Sequence, residues 1–331
     1  MQSSRGYRSL FWPIFLIGVG ITWLMGNLGI IPSDNFYSLG RLWPLLLVVI
    51  GLDMLFGRRS TLGSAIIGLI TVGIIAVFLV FAPSLGLAHA PSVTTSTYHE
   101  VIGQSASATV NLDLASARTS LYALSDSPDL INARIDHLGF IHFNVSGINQ
   151  KKTIQLSETG YVNDWLNPAN WGLDLRWDIG LTPKIPLDLQ VKAGSGSGSL
   201  DFSKINLTGL KIDAASGSMS VVLPKTSSHY LVDIIGASGS LDLVAPCTDL
   251  EIRLDSASGS QTINLPKGCA VRVDVHDRGS GSINLPGNLA QVNGSSGSRA
   301  TGAWENSGYN PAPPAILINI TSAGSGSINI H

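Results

Sequence analysis

Residue types that could carry catalysis or hold a metal occur throughout this chain of 331 residues, but their spacing does not assemble a site. The seven histidines contain no His-Glu-x-x-His motif and no pair four residues apart, the spacing that puts two zinc ligands on one helix face. His137 and His142 are five residues apart in a predicted hairpin, where a surface role is favoured over metal binding. Gly-x-Ser-x-Gly, phosphate-loop and dinucleotide-binding motifs are all missing. The sequence therefore predicts a protein that is not an enzyme and needs no cofactor or metal.

Carboxylate and amide side chains recur in the second half of the chain, where they could bind calcium through their oxygens. They are Asp201, Asp242, Asn264, Asn284 and Asn329. The Gly-Gly-x-Gly-x-Asp repeat of calcium-binding β-rolls is missing, so a polar face turned toward solvent is the preferred interpretation.

A cluster of tryptophans is the other candidate interaction site. Trp165, Trp171 and Trp177 fall within 13 residues, and exposed indole rings at such spacing could stack on a carbohydrate. Core packing in a small β cap is the alternative, and we favour it.

The composition indicates a membrane protein with an extended apolar part. Charged residues make up 13% of the chain, hydrophobic residues 44%, and the mean hydropathy is +0.28. A soluble globular protein carries roughly 25% charged residues. Since no block of basic residues is present, we expect no nucleic-acid partner.

Three apolar segments near the N-terminus predict transmembrane helices, at 10–31, 39–56 and 62–82. The first and third exceed the roughly 20 residues that cross a hydrocarbon core. The middle segment is shorter and contains Asp53, which lies close enough to Arg58 and Arg59 to reach the interface.

The basic residues predict the orientation of these spans. With residues 1–9 in the cytoplasm, four arginines (Arg5, Arg8, Arg58 and Arg59) lie inside and Arg41 alone lies outside, as the positive-inside rule favours. We therefore expect a multi-pass membrane protein whose C-terminal domain is extracytoplasmic. Residues 83–104 are predicted to be a linker, residues 105–186 a β cap region and residues 187–331 a β-repeat domain.

The repeat is marked by prolines and glycines. Pro224, Pro246, Pro266 and Pro286 are spaced by 22, 20 and 20 residues, and a glycine precedes each by seven residues. Aliphatic residues alternate with polar ones around each glycine, which is the strand signal. About 20 residues thus form two short strands joined by a Ser-Gly-Ser corner, where glycine supplies backbone freedom. Stacked repeats predict a β-solenoid, and a β-sandwich is the alternative.

The two cysteines, Cys247 and Cys269, are 22 residues apart, which is one repeat. Equivalent positions on neighbouring coils lie about 4.8 Å apart, within the range that a disulfide spans. Outside the cytoplasm a disulfide is favoured over two buried thiols, which remain the alternative.

Two regions resemble a known family. The Trp-Pro-apolar pattern at Trp12–Ile17 returns at Trp43–Val48, with Gly20 matched by Gly51, and it resembles the transmembrane region of LiaI/LiaF-type proteins of bacterial cell-envelope stress responses. Trp177–Leu189 and the Gly-Ser run at Gly194–Phe202 are similar to the LiaF-like and toast-rack domains. The resemblance implies an envelope-response family whose better-known members restrain a sensor kinase when cell-wall antibiotics are absent.

Two functions are therefore expected from the sequence. The first is a non-enzymatic sensing or regulatory scaffold of the cell envelope, with the lipid bilayer and a membrane sensor kinase or other envelope protein as partners. The second is an adhesin-like or structural protein that contacts a cell-wall polymer.

Overall fold

The computed structural model describes most of the chain in two compact units. The described residues are 10–28, 30, 43–56, 61–81, 93–114, 117–148, 150–159, 173–236, 238–295, 301–310 and 315–331. One unit is helical and falls within residues 1–92, and the other is an all-β unit formed by 93–160 and 174–331.

The helical unit contains three described helices: α1 at Phe11–Asn27, α2 at Trp43–Phe56 and α3 at Thr61–Phe81. Among the described residues, the stretch of α3 from Gly63 to Phe81 is long and apolar enough to cross a membrane, and α1 is apolar but shorter. Helices α1 and α2 both begin next to a Trp-Pro pair, because proline at a first helical turn forfeits no intrahelical hydrogen bond.

Helices α1 and α3 pack closely because glycines face the partner helix. A Cβ atom on Gly18 would overlap Val72, and one on Gly68 would press against Ile14. Small residues at such contacts are typical of helix pairs in membranes, where close backbone approach replaces the hydrophobic effect.

Aliphatic side chains on the other faces of α1 and α3 remain exposed. Ile17 is 63% exposed and Leu69 is 68% exposed. Apolar surface of this extent, spread along apolar helices, suits contact with lipid.

The β unit contains 21 described strands. They are β1 Thr94–Val101, β2 Ser107–Asp113, β3 Arg118–Ala123, β4 Asp129–His137, β5 Phe140–Ile148, β6 Lys151–Thr159, β7 Arg176–Leu181, β8 Leu187–Ala193, β9 Gly198–Asp201, β10 Leu207–Ala214, β11 Ser218–Val222, β12 Tyr230–Gly236, β13 Ser240–Val244, β14 Leu250–Ser256, β15 Ser260–Asn264, β16 Ala270–Val275, β17 Ser282–Asn284, β18 Ala290–Gly294, β19 Gly302–Glu305, β20 Ala315–Ser322 and β21 Ser327–Ile330.

These strands form two sheets. Sheet A has the order β1-β4-β7-β3-β9-β11-β13-β15-β21-β17, and sheet B has the order β18-β19-β16-β20-β14-β12-β10-β8-β2-β6-β5. From β8 to β17 the chain alternates between them, with one strand in sheet B and the next in sheet A. We call such a pair of consecutive strands a coil.

Neighbouring coils pair in parallel and in register. In sheet A, Val221 lies beside Leu243, which lies beside Ile263. In sheet B, Ile212 lies beside Ile234. All five side chains are buried, with exposed fractions of 1% or less. The predicted alternation of aliphatic and polar residues thus builds one apolar interior, because each aliphatic residue stacks on its counterpart in the next coil.

The glycines of the Ser-Gly-Ser corners stack as well, for a reason that differs from our prediction. We expected them to supply backbone freedom, which Gly279 does with a φ angle of +59°, but the φ angles of Gly217, Gly239 and Gly259 are not positive. A Cβ atom on Gly239 would instead overlap the carbonyl oxygen of Gly217, and one on Gly259 would overlap that of Gly239. Glycine is needed at these corners because successive coils approach too closely for any side chain.

At its N-terminal end the stack closes with antiparallel strands. Strand β1 pairs with β4 in sheet A, and β5 pairs with β6 in sheet B. Strand β1 lies inside the segment 83–104 that we predicted to be a linker, because its Thr- and Tyr-containing sequence suits a strand once β4 offers a partner. The predicted boundary between 105–186 and 187–331 does not separate two sheets either, since β2 pairs in parallel with β8.

At the other end the order of coils in space departs from their order in sequence. Strand β20 lies between β14 and β16, and β21 lies between β15 and β17. The last coil of the chain is therefore inserted into the stack rather than added at its end.

Candidate functional site

The outward face of sheet A carries a line of serines, which we call the serine column. It consists of Ser218, Ser240, Ser260, Ser327 and Ser282, each in register with the next. The Ser240 hydroxyl donates to the Ser218 Oγ atom at 2.9 Å, and the Ser327 hydroxyl donates to the Ser260 Oγ atom at 3.1 Å. Each serine alternates with a buried aliphatic or glutamine side chain, so strand geometry aims every hydroxyl outward.

A second polar column runs beside the first, through Ser220, Asp242, Thr262, Asn329 and Asn284. The Asn284 amide donates to Asn329 Oδ1 at 2.7 Å. The Asn264 amide, two residues beyond Thr262 on β15, donates to Asp242 Oδ1 at 2.7 Å. These amides and carboxylates bond to each other across coils.

The five residues weighed as calcium ligands are spread over five strands of sheet A. Asp201 accepts hydrogen bonds from the Ser203 side chain and backbone N–H, which lower the pKa of its carboxyl below the ordinary value. Among the residues that the structure describes, no group of three or more His, Cys, Asp or Glu side chains could hold a metal ion.

Between the two columns the face forms a shallow groove of about 680 Å³. Five of its eleven lining residues carry hydroxyls, and its ionisable residues are Asp242 and His331. The hydroxyls belong to Ser218, Ser220, Ser240, Ser260 and Thr262. Such a surface offers many hydrogen bonds to a polar ligand. The sequence predicted a polar face here through Asp242 and Asn264, but the serine column was missed, although a serine follows each corner glycine and would have marked it.

The tryptophans do not form an exposed platform in the described part of the chain. Trp177 lies in β7 with its side chain fully buried at 0% exposure, so it cannot contribute to the interaction surface that was weighed against packing. Its inward position fits core packing, the interpretation that we favoured from the sequence. Trp165 and Trp171 lie outside the described residues.

The two histidines of the predicted hairpin bond within the sheets. His137 Nδ1 lies 2.7 Å from the Gly139 carbonyl oxygen, and its Nε2 lies 2.9 Å from Ser96 Oγ. His142 Nε2 lies 2.7 Å from Thr159 Oγ1. These contacts tie neighbouring strands together.

The structure joins Cys247 and Cys269 in a disulfide, with Cα atoms 5.7 Å apart. The two residues occupy the corners that follow β13 and β15, which are paired strands of sheet A. The bond therefore links successive turns of the chain on one side of the stack.

Two further groups have shifted pKa values for structural reasons. Tyr230 is buried and donates its phenol proton to the Pro224 carbonyl at 2.8 Å, and burial raises its pKa. Arg272 donates to Asp274 at 3.0 Å and to Glu305 at 2.8 Å, and the hydrogen bond with Asp274 raises its pKa. Both groups hold strands in place.

The fold and its polar face define a class of protein in which an apolar helical region precedes a two-sheet domain of stacked β-repeats. Comparison with family models agrees. Residues 10–55 match the LiaI-LiaF-like transmembrane region, and residues 91–243 match the N-terminal domain of toast_rack, DUF2154. The resemblance predicted from the sequence is confirmed over these two ranges, and it fits a membrane-anchored protein of the cell envelope.

The comparison with solved structures also matched candidate adhesion proteins. One, a candidate cell adhesion protein from Clostridium sporogenes, is 21% identical with a TM-score of 0.47, and the alignment covers 72% of this chain and 99% of that one. Another, a candidate adhesin from Bacteroides fragilis, is 9% identical with a TM-score of 0.27, covering 73% and 99%. No curated protein matched the chain in sequence.

Proposed function

We propose that the chain spans the membrane three times, at 10–31, 39–56 and 62–82, and displays a β-solenoid outside the cytoplasm. Four of the five arginines in this region would lie on the cytoplasmic side of the membrane, which supports this orientation by the positive-inside rule. The parallel pairing of coils supports a solenoid over a sandwich, because sandwiches are built from antiparallel strands.

In this proposal the protein is a non-enzymatic scaffold of envelope-stress regulation. The observation that carries it is the chain order, in which the match to a LiaF-like membrane region at 10–55 precedes the toast-rack match at 91–243. Helices in the bilayer would contact a membrane partner such as a sensor kinase. The in-register stack would give that partner a rigid external extension, because a stacked core cannot bend without breaking many pairs at once.

A reporter of the cell-wall antibiotic response in the host bacterium tests this role. We expect deletion of residues 93–331 to raise reporter output several-fold without antibiotic, together with phosphorylation of the response regulator. The variant Arg253→Gln, on the outer face of sheet B, serves as a control and should leave the output unchanged. Unchanged output after deletion of the β unit would contradict a regulatory role.

Adhesion to a cell-wall polymer is the second candidate, and the groove on sheet A is the observation that favours it. Sedimentation of the full chain with isolated cell wall provides the test. Replacing Ser240 and Ser260 by bulky Gln residues should reduce sedimentation if the groove binds the polymer. The same change at Ser227, an exposed residue outside the groove, should have no effect. Equal sedimentation of all variants would show that the groove does not bind the polymer.

A further inference from the structure

The stack of coils is open at its N-terminal end. Strand β1 is outermost in sheet A and β5 is outermost in sheet B, and no described strand continues either sheet beyond them. The two strands meet there, since the rings of Tyr98 and Phe143 lie 5.3 Å apart. We call the apolar surface at this end the open end, and it consists of Tyr98, Phe140, Ile141, Phe143 and Val145.

Side chains of the open end are less buried than their neighbours one strand further into the stack. Phe143 and Val145 on β5 are half-buried, whereas their register partners on β6, Leu156 and Ile154, are 1% and 0% exposed. Tyr98 on β1 is half-buried as well. The apolar interior thus reaches the last strand of each sheet, and no described coil covers it there.

Phe140 extends the open end into solvent. Its side chain is 77% exposed, more than any other large apolar side chain described in the β unit. The turn before it is held in place, because the backbone N–H groups of Leu138 and Gly139 donate to Glu158 Oε1 at 3.2 and 2.9 Å. A phenyl ring fixed in water is unfavourable, and an apolar environment would stabilise it.

The open end carries little charge. Glu100 is the one acidic residue of β1 and β5, and its carboxylate accepts a hydrogen bond from the Lys152 ammonium. Residues 93–331 as a whole hold 20 acidic and 15 basic residues. An anionic lipid surface would therefore repel the acidic remainder of the β unit but not this end.

The open end is also where the chain enters the β unit from the helices. Helix α3 ends at Phe81 and β1 begins at Thr94. The connection between them reaches at most about 45 Å, since each extended residue adds about 3.3–3.6 Å. In the topology proposed above, β1 is therefore tethered near the lipid. Because a tether raises the local concentration of the two surfaces, even a weak apolar contact between them is populated.

We propose that the open end docks on the surface of the bilayer that the helices cross, with Phe140 inserted between the lipid headgroups. Tyr98 suits the level of the headgroups, because its ring is apolar and its hydroxyl can stay in contact with water. Lipid is favoured over a second copy of this chain, because the tether holds the open end near lipid at any concentration of the protein. This inference rests on the proposed spans, and it holds whichever side of the membrane the β unit lies on.

Reconstitution of the full chain in lipid vesicles tests the docking. A chain without native cysteines carries one fluorophore, either on Ser146→Cys in β5 at the open end or on Ser282→Cys in β17 at the opposite end of the stack. Nitroxide-labelled lipid quenches a fluorophore that it contacts. We expect several-fold stronger quenching at Ser146→Cys than at Ser282→Cys.

Removal of the exposed ring gives the matched comparison. Phe140→Ser should reduce the quenching of the Ser146→Cys label several-fold, because the gain from moving the ring out of water is lost. Val292→Ser, on the outermost strand at the other end of sheet B, removes a side chain that is 53% exposed and should leave the quenching unchanged. Because both side chains are exposed, thermal melts should show both variants folded.

Equal quenching of the two labels, or quenching that Phe140→Ser does not change, would overturn the docking. Energy transfer between copies labelled at Ser146→Cys, without quenching by lipid, would show that a second copy covers the open end and would also overturn it. A β unit found in the cytoplasm would refute the proposed topology while the quenching persists. Failure of the chain to float with the vesicles would refute the proposed spans, and this inference with them.

Discussion

At each Ser-Gly-Ser corner a glycine faces the carbonyl oxygen of the glycine in the neighbouring coil. The column runs through Gly196, Gly217, Gly239, Gly259, Gly326 and Gly281. The constraint acts between coils and not within one corner, so every glycine in the column is required by its neighbour.

Gly239→Ala tests this constraint. Because its Cβ would overlap the Gly217 carbonyl oxygen, we expect a loss of about 2 kcal/mol in the free energy of unfolding. Gly287→Ala is the control, since nothing lies within 4 Å of a Cβ at that position. Chemical denaturation of both variants gives the comparison. Equal stability would mean that the coils are not packed at this distance.

The disulfide is a second prediction for individual residues. Mass spectrometry of non-reduced peptides should find Cys247 linked to Cys269 in protein isolated from membranes. On the chain-entropy model, closing a loop of this length contributes about 3 kcal/mol, so Cys247→Ser should lower the melting temperature. Two thiols that react with alkylating reagents in the native sample would refute the bond.

Among the helices, the contact between α1 and α3 depends on Gly18. The backbone N–H of Leu10 donates to Ser64 Oγ at 3.1 Å, so cysteines at these two positions should crosslink in a variant without the native cysteines. Gly18→Leu should reduce the yield of this crosslink about tenfold, because a larger side chain at this contact costs about 1–3 kcal/mol and separates the helices. Gly20→Leu should keep the yield, since a Cβ there meets nothing within 4 Å. A yield that Gly18→Leu does not change would contradict the packing.

Much of each strand could be predicted from the alternation of aliphatic and polar residues, as Leu241 and Leu243 show by lying buried in β13. The pairing of Arg118 with Arg176 could not be predicted from the sequence. The two residues are 58 positions apart and become neighbours only through the register of β3 with β7. Strand β1 was hidden by its Ser- and Thr-rich composition, which also suits a linker.

For the whole molecule, the inserted last coil is the feature that a repeat pattern cannot reveal. Periodicity fixes the length of each coil but is the same for any order of stacking. Only the partners of β20 show that the chain returns to a gap that β14 and β16 leave between them.

Truncation after Asn310 tests the inserted coil. Removing β20 and β21 should lower the melting temperature by more than about 10 °C or cause aggregation, because several kcal/mol of core contacts on both sides are lost. Replacing residues 290–305, which hold the edge strands β18 and β19, by a Gly-Ser linker should cost less. A truncated chain as stable as the whole would place the last coil at the end of the stack.

We propose that the membrane region holds the β unit outside the cytoplasm. Labelling with a membrane-impermeant maleimide tests it, using Ser227→Cys in a chain without native cysteines, since Ser227 is exposed between β11 and β12. We expect labelling in intact cells, whereas a cysteine at Ser60, beside Arg58 and Arg59, should react only after permeabilisation. Labelling of Ser227→Cys only in permeabilised cells would contradict the claim.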